Sequence, residues 1–262
     1  MKKRERVDQV LHERGLAASR EQARRLVMAG RVFLEAGGAP EALSRVDKPG
    51  RMVDPGAALR VAEGERFVSR GAYKLLTALE YFSLEVEGLV ALDAGASTGG
   101  FTDCLLQHGA KRVYALDVGR RQLHERLRQD PRVVSLEGVN LRLAPADLIP
   151  EPVDMVVADV SFISLTLALP PCLRWLKPDG LVAALIKPQF EAGPAALRKG
   201  VVRDPALRQA AVDKVLDFAR RELLLTDIGV VPSALRGPKG NQEYMAVWRR
   251  RRRGQEPTRH AH

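Results

Sequence analysis

The chain opens with a helical rhythm. Val7, Val10 and Leu11 fall on one face of a helix that Gly15 ends, and Ser19 then stands where a helix N-cap belongs. Gln22 follows three positions later, in the manner of a capping box. Ala23, Leu26 and Val27 continue the inward face of this second helix; Gly30 stops it, and Val32, Phe33 and Leu34 begin an extended segment. Residues 37–64 are rich in Gly, Pro and Ala and read as short strands and turns that complete a small α+β domain.

Beyond Leu89 the rhythm changes. Near-continuous apolar runs at 89–95, 112–118, 133–139, 155–160 and 181–187 alternate with helical stretches at 101–108, 120–130 and 165–176. Such alternation predicts an α/β domain, a parallel sheet covered by helices on both faces. A long helix at 205–222 and two more strands, 226–231 and 243–248, follow, and then five consecutive arginines at 249–253. The predicted division is 1–64, 65–250 and a basic polar tail at 251–262.

Charge adds a partner to this picture. Hydrophobic residues make up 45% and charged residues 28%, the balance of a folded globular chain, but the net charge is +10. A positive field of that size favours polyanions such as nucleic acid, although a basic proteome alone could produce it. The two cysteines, Cys104 and Cys172, have neither metal-ligand spacing nor a disulfide framework, so no metal is expected and a reducing compartment fits. Met1 leads straight into charged residues, and the longest apolar runs fall far short of a membrane span. The expectation is a soluble cytoplasmic protein without a membrane or protein partner.

The candidate chemistry begins after the first strand of the α/β domain. Asp93, Gly95, Ser97, Thr98, Gly99, Gly100 and Phe101 form a strand-to-helix loop in which glycines let the backbone turn and approach a ligand. The spacing is neither a G-x-G-x-x-G fingerprint nor a P-loop. Asp93 ahead of the glycines suits a ligand carrying an ammonium and a sulfonium. Asp117, at the end of the second strand, is placed for the hydroxyls of an adenosine ribose, and Asn140, after the third, for an adenine edge. At this point NAD remains the competing ligand.

Four more charged residues stand apart in sequence: Lys74, Asp159 at the end of the fourth strand, Lys187 after six apolar residues of the fifth, and Glu243 at the start of the last. With the loop Asp-Ala-Gly-Ala-Ser-Thr-Gly-Gly-Phe-Thr, the segments Asp-Val-Ser-Phe-Ile-Ser and Lys-Pro-Gln-Phe-Glu resemble the hemolysin A-like (TlyA-type) ribosomal RNA methyltransferases, relatives of the FtsJ-type ribose methyltransferases. The resemblance runs over nearly the whole chain. It implies a Rossmann-like sheet, mostly parallel with its last strand antiparallel, S-adenosylmethionine as cofactor, and a cytidine 2′-hydroxyl of ribosomal RNA or of a ribosomal subunit as acceptor. The family's Lys-Asp-Lys-Glu tetrad falls on Lys74, Asp159, Lys187 and Glu243, and Asp159 is counted with the cofactor residues as well. The amino-terminal segment resembles the RNA-binding unit named after ribosomal small-subunit protein four, which implies phosphate contacts from Arg4, Arg6, Arg20, Arg24, Arg25 and Arg31.

Methyl transfer to a hydroxyl needs that oxygen to lose a proton. A lysine serves as the base only when neutral; half-neutrality at pH 7 asks its pKa to fall by about 3.4 from about 10.4, roughly 4.6 kcal/mol. A second ammonium pushes that way and nearby carboxylates oppose it. Lys187 is the expected base, with late proton loss and catalysis by positioning as the alternative. Phe101, Phe162, Phe190 and Tyr244 are the aromatics nearest these motifs for stacking an extruded base. Against this stand an NAD-dependent oxidoreductase, a membrane-active haemolysin and a non-catalytic assembly factor.

Overall fold

The computed structural model describes residues 4–35, 43–62 and 66–251. The chain forms two compact units that meet in sequence between Arg66 and Phe67. The predicted residues 252 and 253 of the arginine run, and the tail beyond them, lie outside the described residues.

The first unit contains β1 (Glu5–Arg6), α1 (Val7–Glu13), α2 (Arg20–Met28), β2 (Val32–Glu35), β3 (Leu43–Arg45), β4 (Met52–Val53) and β5 (Leu59–Val61). β2 is the centre of an antiparallel sheet in the order β3-β2-β5, and β1 pairs with β4. Val7, Val10, Leu11, Ala23, Val27 and Val32 close into one small core. Ser19 caps α2, its Oγ accepting from the Gln22 backbone N–H at 3.1 Å. The Gln22 side chain returns the bond to the N–H of Ala18, not of Ser19, at 2.6 Å.

The second unit begins with α3 (Ala72–Tyr81), then β6 (Val90–Ala94), α4 (Gly100–Gln107), β7 (Arg112–Asp117), α5 (Glu125–Arg128), β8 (Val133–Glu137), β9 (Val153–Ala158) and α6 (Leu165–Cys172). β10 (Leu176–Ile186), α7 (Pro188–Glu191), α8 (Pro205–Arg221), β11 (Leu225–Pro232) and β12 (Tyr244–Arg250) complete it. The seven strands lie in the order β11-β12-β10-β9-β6-β7-β8. All neighbours from β10 to β8 are parallel, while β12 runs antiparallel to both β10 and β11, as the resemblance implied.

Alternation along the strands produces two cores. Ala183 and Leu185 of β10 face the layer that holds Leu75, Phe101 and Leu105; Val182, Ala184 and Ile186 face Leu165, Leu169 and Val215. Each fully buried leucine contributes about 1.5–3 kcal/mol, so the sheet is a rigid base for the loops at its carboxyl edge. Strand order reverses between β6 and β9, which opens a crevice at that edge where doubly wound folds bind ligands.

The elements depart from the sequence reading in several places. The 120–130 stretch holds only the single turn α5, because Glu137 Oε1 accepts from the backbone N–H groups of Gln122 and Leu123 and fastens that segment as a loop. α6 stops at Cys172 because Pro170 and Pro171 withdraw two backbone donors. Glu243 precedes β12 instead of opening it. α3 has no counterpart among the predicted elements, although the spacing of Ala72, Leu75, Leu76 and Leu79 carries the helical signal.

Candidate active site

The glycine loop leaves β6 at the crevice. Gly95 has φ +85°, and a Cβ there would stand 2.9 Å from the Asp159 carbonyl oxygen, so both conformation and space demand glycine. Asp117 Oδ2 accepts from the Ser97 N–H at 2.8 Å and Oδ1 from the Gly119 N–H at 2.7 Å, which ties the end of β7 to the loop. Two cavities meet at this point. One, about 570 Å³, is bordered by Gly95, Ser97, Asp117, Asn140, Asp159 and Phe162 among others. The other, about 230 Å³, is bordered by Thr98, Gly100, Phe101, Asp159, Ser161 and Lys187 with their neighbours. Gly99 is buried against Leu127.

Asp93 lies beneath the loop. Its side chain is fully buried, Oδ2 accepts from Thr102 Oγ1 at 2.7 Å, and Oδ1 has no hydrogen-bond partner among the described residues. Burial pushes its pKa up to about 7, with Asp159 and Asp117 adding to the rise and Thr102 opposing it.

The four charged residues scattered in sequence form two ion pairs. Lys74, in the first turn of α3, places Nζ 2.6 Å from Glu243 Oε2, and that carboxylate is completely buried. Lys187, which follows β10, places Nζ 2.6 Å from Oδ1 of Asp159, which follows β9. The second contact is off the hydrogen-bond direction; the directed bond from Lys187 goes to Ser161 Oγ at 2.7 Å. Glu243 is gripped on its other oxygen by Gln189 Nε2 at 2.9 Å. Ser161 and Gln189 are therefore members of the cluster that the sequence reading did not single out, although both lie inside motifs it quoted.

Glu191, also buried, fixes the neighbouring loop. Its carboxylate accepts from Ser164 Oγ at 2.6 Å and from the Leu165 N–H at 2.8 Å, at the start of α6. That loop carries Phe162 at φ +64° and 91% exposed, its ring 5.2 Å from that of Phe190. Phe101, 3% exposed, belongs to one core of the sheet, and Tyr244 packs against the other.

Asn140 is exposed, and its Oδ1 accepts from the Arg142 N–H at 3.0 Å. In the first unit, Arg4, Arg24 and Arg25 are exposed, and Arg20 lies 3.8 Å from buried Asp8. Arg6 is bound to both oxygens of Asp8, whose pKa it lowers through that hydrogen bond. Arg31 donates twice to the Ala62 carbonyl. These last two guanidiniums thus spend part of their donors on the fold.

A doubly wound sheet with a glycine loop at its switch point, a two-lobed cavity and paired lysines and carboxylates beside it defines an enzyme of the nucleotide-cofactor class. The model for FtsJ-like methyltransferases matches residues 67–250, and that for the S4 domain matches residues 5–34. The 16S/23S rRNA (cytidine-2′-O)-methyltransferase TlyA of Mycobacterium tuberculosis is 48% identical over 95% of this chain and 91% of its own length. Hemolysin A of Brachyspira hyodysenteriae is 38% identical over 92% and 98%. A solved structure from Streptococcus thermophilus, described as a candidate hemolysin, is 43% identical with a TM-score of 0.70, over 96% of this chain and 90% of that one. The chain belongs to the FtsJ-like methyltransferase family, in the TlyA/hemolysin A branch that joins this domain to an S4 domain. Among the described residues no cluster suits a metal ion, and no helix is long and apolar enough to cross a membrane.

Proposed function

We propose that the protein methylates the 2′-hydroxyl of a cytidine in ribosomal RNA, with S-adenosylmethionine as donor. The observation that carries this reading is the pair of Lys–carboxylate contacts beside the glycine loop, in a chain 48% identical to a cytidine-2′-O-methyltransferase. The residues present suit that cofactor. The larger cavity offers Asp117 for a ribose and the apolar side chains of Val139, Leu141 and Ile163 for a flat base. The smaller one leads past Gly95, where a Cβ would block the passage, to Lys187. S-adenosylmethionine supplies, when bound, a methyl carbon made electrophilic by a sulfonium whose departure leaves a neutral thioether.

The chain's own residues supply position and proton transfer. Ser161 and Asp159 hold the Lys187 nitrogen at the mouth of the smaller cavity. Lys187 is the residue that would take the proton released by the 2′-hydroxyl, with Asp159 and Ser161 keeping its nitrogen in place. Lys74 and Glu243 form a fixed wall of opposite charges that orients the ribose. Phe162, held out from the surface over Phe190, is the platform for the base once it leaves its helix. The RNA is gathered by the exposed arginines of the first unit.

The test is transfer of labelled methyl to small subunits, large subunits and naked ribosomal RNA from cells lacking the protein. Label on RNA, with at least a hundredfold loss of single-turnover rate in Lys187→Ala, is the expected result, since general-base catalysis is worth about 10²–10⁴. Absence of label on every acceptor, with cofactor binding intact, overturns the reading.

A further inference from the structure

The second unit carries a strongly basic surface that the mechanism above does not use. The segments 193–203 and 234–242 contain five cations, Arg198, Lys199, Arg203, Arg236 and Lys239, and no Asp or Glu. All five are exposed, and none has an ion-pair partner among the described residues. By contrast Arg112, Arg126, Arg128, Arg132, Lys177 and Arg220 of the same unit each meet a carboxylate.

Two tight turns build this surface. Arg198 and Val201 exchange both backbone hydrogen bonds, at 3.0 and 3.1 Å, around Lys199 (φ +54°) and Gly200 (φ +80°). Gly237 donates to the Asn241 carbonyl at 2.8 Å around a second left-handed pair, Lys239 (φ +59°) and Gly240 (φ +85°). Asn or Asp ahead of glycine would suit such turns best; lysine there is strained and puts an ammonium at the tip. Buried Asn241 joins the two turns, donating to the Gly200 carbonyl at 3.0 Å and accepting from the Val202 N–H at 3.2 Å. Nζ of Lys239 lies 3.1 Å from where a Cβ of Gly200 would stand. The surface is therefore held rigid, and it borders the ion pairs: Gly237 is packed against the Glu243 carboxylate.

We propose that the twin Lys-Gly turns, with Arg198, Arg203 and Arg236, bind the phosphates flanking the target ribose. Strained lysines, unneutralised charge and contact with a residue of the ion-pair cluster converge on a polyanion that must arrive beside Glu243. The inference rests on the RNA substrate proposed above, and it deepens that reading by giving the methyltransferase unit its own backbone grip. Ordering is already built in, so the grip adds affinity without a large entropic loss.

The test uses the full chain with naked ribosomal RNA, reading affinity by fluorescence anisotropy across a potassium chloride series. The variant combines Arg198→Ala, Arg203→Ala, Arg236→Ala, Lys199→Asn and Lys239→Asn, since asparagine tolerates the left-handed backbone. A charge control removes Lys111 and Arg221, exposed cations at the opposite end of the strands. The expected result is RNA affinity about tenfold or more weaker and a salt slope shallower by roughly 3.5–4.5, because each of the five lost phosphate contacts contributes about 0.7–0.9. Cofactor affinity stays unchanged, Tm holds or rises as asparagine relieves the two left-handed lysines, KM for RNA rises and kcat holds. RNA affinity and slope equal to wild type, or matched by the control, overturn the proposal. Because binding is read without methyl transfer, failure of this inference and failure of the proposed reaction are distinguishable.

Discussion

At the scale of single residues, the most unusual group is Asp93. Its folded pKa of about 7 lies above the ordinary carboxylate value because the charged form is buried with one oxygen unpartnered. Between about pH 4 and 7 the unfolded chain has lost this proton while the folded chain keeps it. Stability from this group is therefore complete at low pH, falls as pH rises through that window and levels off above about 7. The full span is on the order of 4 kcal/mol. Asp93→Asn should remove that component, so the difference in urea midpoint between variant and wild type should grow in the variant's favour from pH 5 to 8. Parallel pH profiles for the two proteins would count against it. The chemical type of the site residues was legible in the sequence, since acids and lysines at the ends of apolar runs emerge at a sheet's rim. Their pairing was not: Lys74 and Glu243 meet across 168 intervening residues, a contact that only the tertiary fold creates. Nor could the sequence tell that Asp93 would lie below the loop and not on its face, because period-two alternation assigns a strand face, not a depth.

At the scale of elements, the one-turn helix α7 does more than its length suggests. Its carboxyl-terminal residue, Glu191, binds the start of α6 and so anchors the loop bearing Ser161 and Phe162. Glu191→Ala leaves the Leu165 N–H without this acceptor, which costs about 1–3 kcal/mol. A drop in Tm of roughly 2–12 °C follows, at about 2–4 °C per kcal/mol for a unit of this size. Methyl transfer at saturating cofactor should fall further than that stability loss explains, and Glu191→Gln, which keeps one acceptor, should recover part of it. A melting curve and a rate, measured on all three proteins, check the pair of claims. Long apolar strands were the elements most easily read, since burial on both faces leaves a continuous run. Short turns such as α5 and α7 carry too few residues for a period, and Glu137 decides the first of them from a distant strand.

At the scale of the whole molecule, the chain divides into two compact units at Arg66 and Phe67. The second unit has two cores of its own and the entire ion-pair cluster. Residues 67–250 expressed alone should fold and bind S-adenosylmethionine with affinity near that of the full chain, as read by titration calorimetry. RNA affinity should fall about tenfold or more, because the exposed Arg4, Arg24 and Arg25 are gone. Equal RNA affinity in the two proteins would remove the first unit from substrate binding.

The position of β12 has a consequence for how the protein is made. This strand fills the gap between β10 and β11 although it follows both in the chain. Roughly 60 residues separate the end of β10 from its start, so on the ribosome the half-built sheet waits several seconds, at about 5–20 residues per second, with an open edge. An apolar edge of that kind invites pairing with other nascent chains, which makes this interval the one in which a chaperone has most to protect. On the function proposed above it also delays activity: Glu243 arrives only with β12, so its ion pair with Lys74 stays unmade in a nascent chain until that strand is inserted.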